Sequence, residues 1–112
     1  PLGERTLREV FFPPFELAIK KGHARSLMPS YNEVDGVPSH ANRWMLRDVL
    51  RGEWGFDGTI VSDWQAIDQL AGRHRVAADR ADAARQALAA TVDVELPDVE
   101  TYHTLVAQVK QG

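Results

Sequence analysis

An aspartate that directly follows a short apolar strand is the residue of this chain best placed to do chemistry. Thr59, Ile60 and Val61 form a β-branched run after a Gly-Phe-Asp-Gly turn, and Asp63 and Trp64 follow this run almost at once. Such a run is typical of a short buried strand. In α/β barrels, catalytic groups lie at the carboxyl ends of the strands. The position of Asp63 therefore predicts a catalytic carboxylate with an indole beside it.

The same position also suits a structural role for Asp63. Aspartate is a common N-cap, and its side chain then accepts a hydrogen bond from the first turn of a helix. A helical pattern at 64–70 begins directly after Asp63. Position alone therefore leaves two interpretations open, a catalytic nucleophile and a helix cap.

The elements that must position this carboxylate alternate between strands and helices. Apolar and β-branched runs predict strands at 26–31, 59–62 and 92–95. Periodicity and helix propensity predict helices at 4–10, 15–21, 64–70, 76–90 and 101–111. A further helix is indicated by the spacing of Trp44, Met45, Val49 and Leu50, and we interpret Trp44 and Trp54 as packing aromatics. Alternation of this kind favours an α/β fold with parallel strands.

The composition excludes several classes of partner. The net charge is −3 and the arginines are spread among acids, so nucleic acid is not an expected partner. No apolar run approaches the ~20 residues that span a bilayer, and no membrane partner is expected. The chain has no cysteine, and its four histidines lack metal-ligand spacing, so we expect neither a metal nor a cofactor. The compartment stays unknown because the true amino terminus is expected to be missing. The cytoplasm is slightly favoured.

Five groups of residues occur along the chain in a fixed order. They read Met-Pro-Ser-Tyr-Asn at 28–32, Asp-Gly-Val-Pro-Ser-His-Ala-Asn at 35–42, Asp-Val-Leu-Arg-Gly-Glu-Trp-Gly-Phe-Asp-Gly at 48–58, Val-Ser-Asp-Trp at 61–64 and Val-Asp-Val-Glu-Leu-Pro at 92–97. In order and spacing they resemble the catalytic barrel of glycoside hydrolase family 3, which contains β-glucosidases and β-xylosidases. The resemblance covers nearly the whole chain.

This resemblance implies that residues 1–112 are the C-terminal part of the family's N-terminal catalytic barrel. The implied fold class is α/β, a partial (β/α)8 TIM barrel comprising about the last three strand–helix units. A complete barrel needs about 250 residues, whereas the chain has 112. We therefore expect the remainder of the barrel and a second α/β domain as partners in the parent chain. We also expect the 112 residues alone to lack glycosidase activity.

The implied reaction is hydrolysis of O-glycosyl bonds by a retaining, exo-acting β-glycosidase of the β-glucosidase or β-xylosidase type. Retention needs two carboxyl groups, one that attacks the anomeric carbon and one that protonates the leaving oxygen. Asp63 matches the nucleophile in the family's Ser-Asp-Trp motif, so a covalent glycosyl-aspartate is implied. The implied substrate is a small-molecule glycoside or an oligosaccharide.

Three further residues are implied to bind the sugar. Tyr31 and Met28 match positions in the family's sugar subsite, and Trp64 offers an indole face for stacking on a pyranose ring. Without the resemblance, Met28 is interpreted as a core residue and Tyr31 as a half-buried packing aromatic with its hydroxyl in water. His40 and Asn42 are interpreted as capping and loop-ordering residues.

The catalytic acid is not expected within the chain. Glu33, Glu53 and Glu95 are present, but none matches the family's acid, which in most members comes from a second domain. The family's substrate-binding Lys-His pair also lies on an earlier strand that the chain does not include. A branch of the family uses a histidine on a barrel loop, but that branch typically lacks the Ser-Asp-Trp motif. The alternative is a non-catalytic truncated remnant or a carbohydrate-binding piece.

One residue departs from the family pattern. Thr91 stands where the family usually has glycine before its last barrel strand. A β-branched residue disfavours a positive φ, so this substitution puts the local geometry of that strand in question. Asp93 and Glu95 follow on the strand with alternating direction, and we expect one of them to face the barrel or its mouth.

Overall fold

The computed structural model describes residues 1–112 and is built around a three-stranded parallel sheet. The strands are β1 (Ser26–Leu27), β4 (Thr59–Trp64) and β5 (Val94–Leu96), in the order β1-β4-β5. A separate antiparallel hairpin, β2 (Glu33–Val34) and β3 (Val37–Pro38), follows β1. The central strand is therefore the one that carries Asp63 at its carboxyl end.

The register of the sheet shows why β4 is central. Ser26 pairs with Thr59 on one side, and Val61 pairs with Val94 on the other. The predicted strands all occur, but with different bounds, because β1 is shorter than 26–31, β4 continues to Trp64, and β5 begins two residues later than expected. The β-branched run of β4 identified the strand, while its end is set by pairing with Leu96.

The helices lie between and after the strands. They are α1 (Gly3–Thr6), a π-helical turn (Leu7–Phe11), α2 (Pro13–Lys20), a 3₁₀ turn (Ser39–Ala41), a π-helix (Trp44–Glu53), α3 (Gln69–Gly72), α4 (Arg80–Ala89) and α5 (Thr104–Gln111). The expectation of a helix at 64–70 is wrong for its first five residues, because Trp64 ends β4 and residues 65–68 form turns. None of the helices has the length and apolar character needed to cross a membrane.

Local capping explains two helix starts. Asn42 accepts a hydrogen bond from the Met45 amide at 3.0 Å, which confirms its interpretation as a capping residue. Asp79 caps α4 by accepting from the Asp82 amide at 2.8 Å. The predicted helix at 76–90 therefore starts four residues late, because a capped start at Asp79 overrides the helix propensity of the alanines before it.

The main core lies between the sheet and the helices that flank it. Ile60, Ile67 and Leu70 are fully buried there. A smaller cluster joins Leu7, Phe12 and Val49 to the two tryptophans that were interpreted as packing aromatics. Phe12 stacks edge-on against Trp54, with ring centroids 5.4 Å apart, so that interpretation is confirmed.

Thr91 does adopt the positive φ that a glycine would supply. Its φ is +73°, in the left-handed region that β-branched residues disfavour. The Arg51 guanidinium holds this segment by donating to Thr91 Oγ1 at 2.9 Å, to the Thr91 carbonyl at 3.3 Å and to Asp93 Oδ2 at 2.7 Å. It also donates to the Gly58 carbonyl at 3.0 Å. Arg51 thus joins the amino ends of β4 and β5 and offsets the strained turn.

We expect Thr91→Gly to unfold at higher urea concentration than Thr91→Ala. Both changes remove the hydroxyl that Arg51 contacts, so the difference between them isolates the backbone. At a positive φ the Cβ of alanine costs about 1 kcal/mol that glycine does not. The measurement is the free energy of unfolding of both variants by urea titration. Equal stability, or a more stable alanine variant, would show that the turn carries no such strain.

Candidate active site

A bulge interrupts the pairing of β4 and β5 where the candidate site begins. Val61 pairs with Val94, yet the next pair joins Trp64 to Leu96, so β4 has one extra residue in this interval. Ser62 is fully buried there, and its Oγ accepts from the Leu96 amide at 2.8 Å. Bulges re-aim side chains at the ends of strands. The extra residue therefore sets the direction in which Asp63 points.

Asp63 is half-buried, with a local contact at its side chain and a long-range contact at its amide. Its Oδ1 accepts from the Trp64 amide at 2.7 Å, and its own amide donates to His40 Nε2 at 3.0 Å. The next helix, α3, begins only at Gln69 and is preceded by Asp68. The helix-cap interpretation of Asp63 is therefore wrong, because no amide of that helix reaches its side chain.

Tyr31 reaches across from the end of β1 to the end of β4. Its hydroxyl donates to the Trp64 carbonyl at 2.7 Å. Desolvation raises the pKa of the Tyr31 phenol, and the neighbouring Asp63 carboxylate raises it further. The residue type alone suggested a hydroxyl in water. In the structure the hydroxyl is hydrogen-bonded to the protein instead, and it stays protonated beside Asp63.

The other two predicted sugar-binding residues, Trp64 and Met28, have different surroundings in the structure. Trp64 is 59 % exposed, so its ring is open to solvent next to Asp63. Met28 is 52 % exposed and is not a core residue, which corrects the interpretation from residue type alone. It lines an apolar groove of about 290 Å³ with Phe11, Phe15 and Trp54, and neither Asp63 nor Tyr31 belongs to that groove.

His40 is buried and belongs to the site. Its residue type gave no indication of its contact with the site. It lies on the 3₁₀ turn after the β2–β3 hairpin and is only 2 % exposed. Its Nε2 accepts from the Asp63 amide, and its ring also donates to the Ser30 carbonyl. Burial lowers the pKa of His40 to about 4, despite the opposing charge of Asp63. The ring is therefore neutral.

We expect the protein to lose stability in acid through His40. The pKa of His40 is about 4 in the fold and about 6.5 in the unfolded chain. Between these values the unfolded chain binds a proton that the folded chain does not. The free energy of unfolding therefore falls as the pH drops from about 6.5 to 4, by about 3 kcal/mol. Above this window the contribution is complete.

Urea titrations between pH 7 and pH 4.5 measure this loss. The control is His40→Gln, whose amide does not titrate, and its unfolding free energy should fall less steeply with pH than that of the unmodified protein. Asp63, His74 and Ser30 face the ring and are the same in both proteins. Parallel pH profiles would contradict the assignment of acid sensitivity to His40.

The remaining glutamates of interest are engaged elsewhere. Glu95 is buried and accepts from the amides of Thr101, at 3.0 Å, and Tyr102, at 2.7 Å. Glu53 pairs with Arg8 at 2.7 Å. Glu33 contacts His74 at 2.9 Å. None of these carboxylates contacts Asp63 in the structure. Asp93 contacts Arg51, and the expectation that Asp93 or Glu95 faces the barrel or its mouth stays a prediction.

Sequence reasoning missed two residues that hold the site together. By residue type, Ser62 is only part of a motif and His40 only a capping or loop-ordering residue. Their partners, Leu96 and Asp63, lie 34 and 23 residues away. No local pattern reports such contacts. The structure contains no group of three or more His, Cys, Asp or Glu side chains that could hold a metal ion.

A carboxylate at the carboxyl end of a central parallel strand, with a tyrosine and an exposed indole beside it, lies where enzymes built on α/β barrels carry their catalytic groups. Comparison with known proteins gives the family. The profile of the Glycosyl hydrolase family 3 N terminal domain matches residues 1–112. This chain belongs to glycosyl hydrolase family 3.

Individual relatives agree with this assignment. A β-xylosidase of Formosa agariphila is 45 % identical over 108 residues, which is 92 % of this chain and 15 % of the relative. A β-glucosidase of Rhizobium radiobacter is 40 % identical over 99 % of this chain and 12 % of its own length. The solved structure of a β-glucosidase from Erythrobacter marinus superposes with a TM-score of 0.95 at 42 % identity, covering 98 % of this chain and 15 % of that one. The chain thus spans about a seventh of the length of these glycoside hydrolases.

Proposed function

We propose that this chain supplies the nucleophile of a retaining, exo-acting β-glycosidase of the β-glucosidase or β-xylosidase type. The observation that carries the proposal is the placement of Asp63 in the bulge at the carboxyl end of β4. One oxygen of its carboxylate accepts from the Trp64 amide. The other oxygen is the candidate attacking atom. The names of the relatives, β-xylosidase and β-glucosidase, support this substrate class.

In the proposed reaction, Asp63 attacks the anomeric carbon of a terminal sugar. A bond forms between that carbon and the carboxylate oxygen while the bond to the leaving oxygen breaks, and a separate carboxylic acid protonates the leaving oxygen. Water, deprotonated by the same acid/base group, then displaces Asp63 and releases the sugar with its original configuration. The amide of Trp64 donates to one carboxylate oxygen and thereby orients Asp63 between turnovers.

Tyr31 and Trp64 shape the proposed sugar site around this carboxylate. The Tyr31 hydroxyl stays protonated and fixes the Trp64 carbonyl. This contact leaves the Trp64 indole exposed beside Asp63, where it can stack on the apolar face of a pyranose. Met28, which follows β1, is the fourth proposed member. A sugar that it contacts would extend from Asp63 to the apolar groove that Met28 lines.

The acid/base group is proposed to lie outside these 112 residues. The glutamates considered above are held by backbone amides, by Arg8 or by His74. We further propose that β1, β4 and β5 are the last strands of a (β/α)8 barrel, which their parallel order supports. The remainder of that barrel and a second α/β domain would complete the site.

Covalent trapping tests the proposal. The full-length gene product is incubated with a 2-deoxy-2-fluoro-β-glucosyl fluoride and with its xylosyl counterpart, which slow the hydrolysis of a glycosyl-enzyme. We expect peptide mass analysis to place the label on Asp63. A label on another carboxylate would overturn the assignment of the nucleophile. A protein that neither takes a label nor hydrolyses aryl β-glycosides would instead be a non-catalytic remnant.

A further inference from the structure

His40 has no part in the reaction proposed above, yet it is a buried polar side chain in direct contact with the Asp63 backbone. It is 2 % exposed, and its neighbour Ser39 is 1 % exposed. Ser39 Oγ donates to the Asn32 carbonyl at 2.9 Å, which ties this turn to the segment that follows β1. A histidine that is so little exposed presents no face of its ring to a substrate. Any influence on the reaction must pass through its hydrogen-bond partners.

Both nitrogens of the ring have backbone partners. Nε2 accepts from the Asp63 amide at 3.0 Å, so in the neutral ring Nδ1 carries the proton. That proton accounts for the hydrogen bond to the Ser30 carbonyl. His40 therefore bridges the segment after β1 to the end of β4. The ring joins the two places from which Tyr31 and Asp63 project.

The bulge in β4 explains why the hydrogen bond between His40 and the Asp63 amide matters. Where β4 has an extra residue, the regular ladder cannot satisfy every amide of the strand. Ser62 Oγ satisfies the Leu96 amide at the bulge, and His40 Nε2 satisfies that of Asp63. An amide with a fixed partner fixes the backbone torsions of its residue. Because its side chain projects from this backbone, the Asp63 carboxylate is aimed in part by the imidazole.

We propose that His40 is a positioning residue that holds the Asp63 backbone, and thereby the Asp63 carboxylate, in the geometry for attack on the anomeric carbon. The inference rests on the proposed function, since it takes Asp63 as the nucleophile. His40 acts as a neutral acceptor and touches no substrate. What matters at this position is a hydrogen-bond acceptor directed at the amide of Asp63.

Replacement of His40 by glutamine or by asparagine distinguishes the effects of the two hydrogen bonds that the ring makes. Glutamine reaches as far as Nε2, so His40→Gln can still accept from the Asp63 amide. Asparagine reaches only as far as Nδ1, so His40→Asn can keep the Ser30 contact and loses the contact with Asp63. Both variants replace a buried ring with a smaller polar group. His103→Gln changes an exposed histidine that contacts Val99 and serves as the matched control.

The experiment measures the rate of covalent labelling of the full-length gene product by a 2-deoxy-2-fluoro-β-glycosyl fluoride. Fluoride leaves without acid assistance, so this rate reports on the nucleophile alone. Misplacing a reacting group by about 1 Å costs up to roughly 100-fold. We expect His40→Asn to be labelled roughly 10- to 100-fold more slowly, and His40→Gln and His103→Gln to stay within about threefold of the unmodified protein. Inhibition constants of a competitive sugar analogue should stay unchanged.

The outcomes are distinguishable. If the unmodified protein takes no label on Asp63, the proposed function fails, and the inference fails with it. If it is labelled and His40→Asn is labelled at the same rate, only the inference about His40 is overturned. If His40→Asn does not fold, the unmodified protein labelled with ¹⁵N-histidine decides, because a protonated Nε2 at neutral pH would exclude the acceptor role. An unprotonated Nε2 together with normal labelling of His40→Gln would support it.

Discussion

Removing the carboxylate of Asp63 should nearly abolish glycoside hydrolysis by the full-length gene product. We expect Asp63→Ala to lower kcat for an aryl β-glycoside by roughly 10⁴-fold or more, a loss of about 5 kcal/mol of transition-state stabilisation. The physical reason is that no other carboxylate described here contacts this position and could attack in its place. The measurement is the release of the aryl alcohol at saturating substrate.

A small anion provides the decisive control for this variant. Azide fits the space left by the deleted carboxylate and attacks the anomeric carbon from the same face, so Asp63→Ala should form the α-glycosyl azide from a β-substrate with an activated leaving group. Asp57→Ala removes an exposed carboxylate near the other end of β4 and should leave the rate within about twofold of the unmodified protein. Unchanged hydrolysis by Asp63→Ala would remove this residue from the mechanism.

A single methyl group at Gly58 should be nearly as damaging, through stability instead of chemistry. A Cβ at this position would lie within 2.7 Å of the Arg25 carbonyl carbon and 2.7 Å from Phe56 Cζ. The Arg25 carbonyl also accepts from the Thr59 amide at 3.0 Å, so it cannot retreat without breaking the start of β4. We expect Gly58→Ala to lower the free energy of unfolding by about 3 kcal/mol or more.

Gly72→Ala is the matched control for this prediction. A Cβ there would meet nothing within 4 Å, and the residue lies at the end of α3. We expect its free energy of unfolding to change by less than about 0.5 kcal/mol, or to rise slightly because alanine favours helix. Urea titration of both variants gives the comparison. If Gly58→Ala were as stable as Gly72→Ala, the close approach of β4 to Arg25 would be refuted.

The strands were predictable where local chemistry determines them. The β-branched residues Thr59, Ile60 and Val61 identified the central strand because they suit no exposed helix. Boundaries were less predictable, since the end of β4 depends on pairing with Leu96 and the start of α4 on the side chain of Asp79. The conformation of Thr91 was the least predictable feature, because it depends on the distant guanidinium of Arg51.

The sequence singled out the residues of the candidate site but not the contacts that hold them in place. Asp63 and Trp64 lie at the end of β4 and Tyr31 lies beyond the end of β1, and strand ends are where catalytic groups act in α/β barrels. His40 and Ser62 carry no comparable signal. A serine and a histidine have many structural uses, and only the folded chain shows that both serve a bulge in β4.

The hydrogen bond from Tyr31 ends on a backbone carbonyl, not on the side chain of Trp64. Every amino acid has that carbonyl, so position 64 can drift during evolution without loss of the bridge between the two strand ends. The same independence holds for His40, which binds the amide of position 63 and not its side chain. The identity of the side chain at position 64 and the integrity of the backbone around the carboxylate are therefore separable traits here, and natural selection or laboratory mutagenesis can vary the exposed indole while that backbone stays in place.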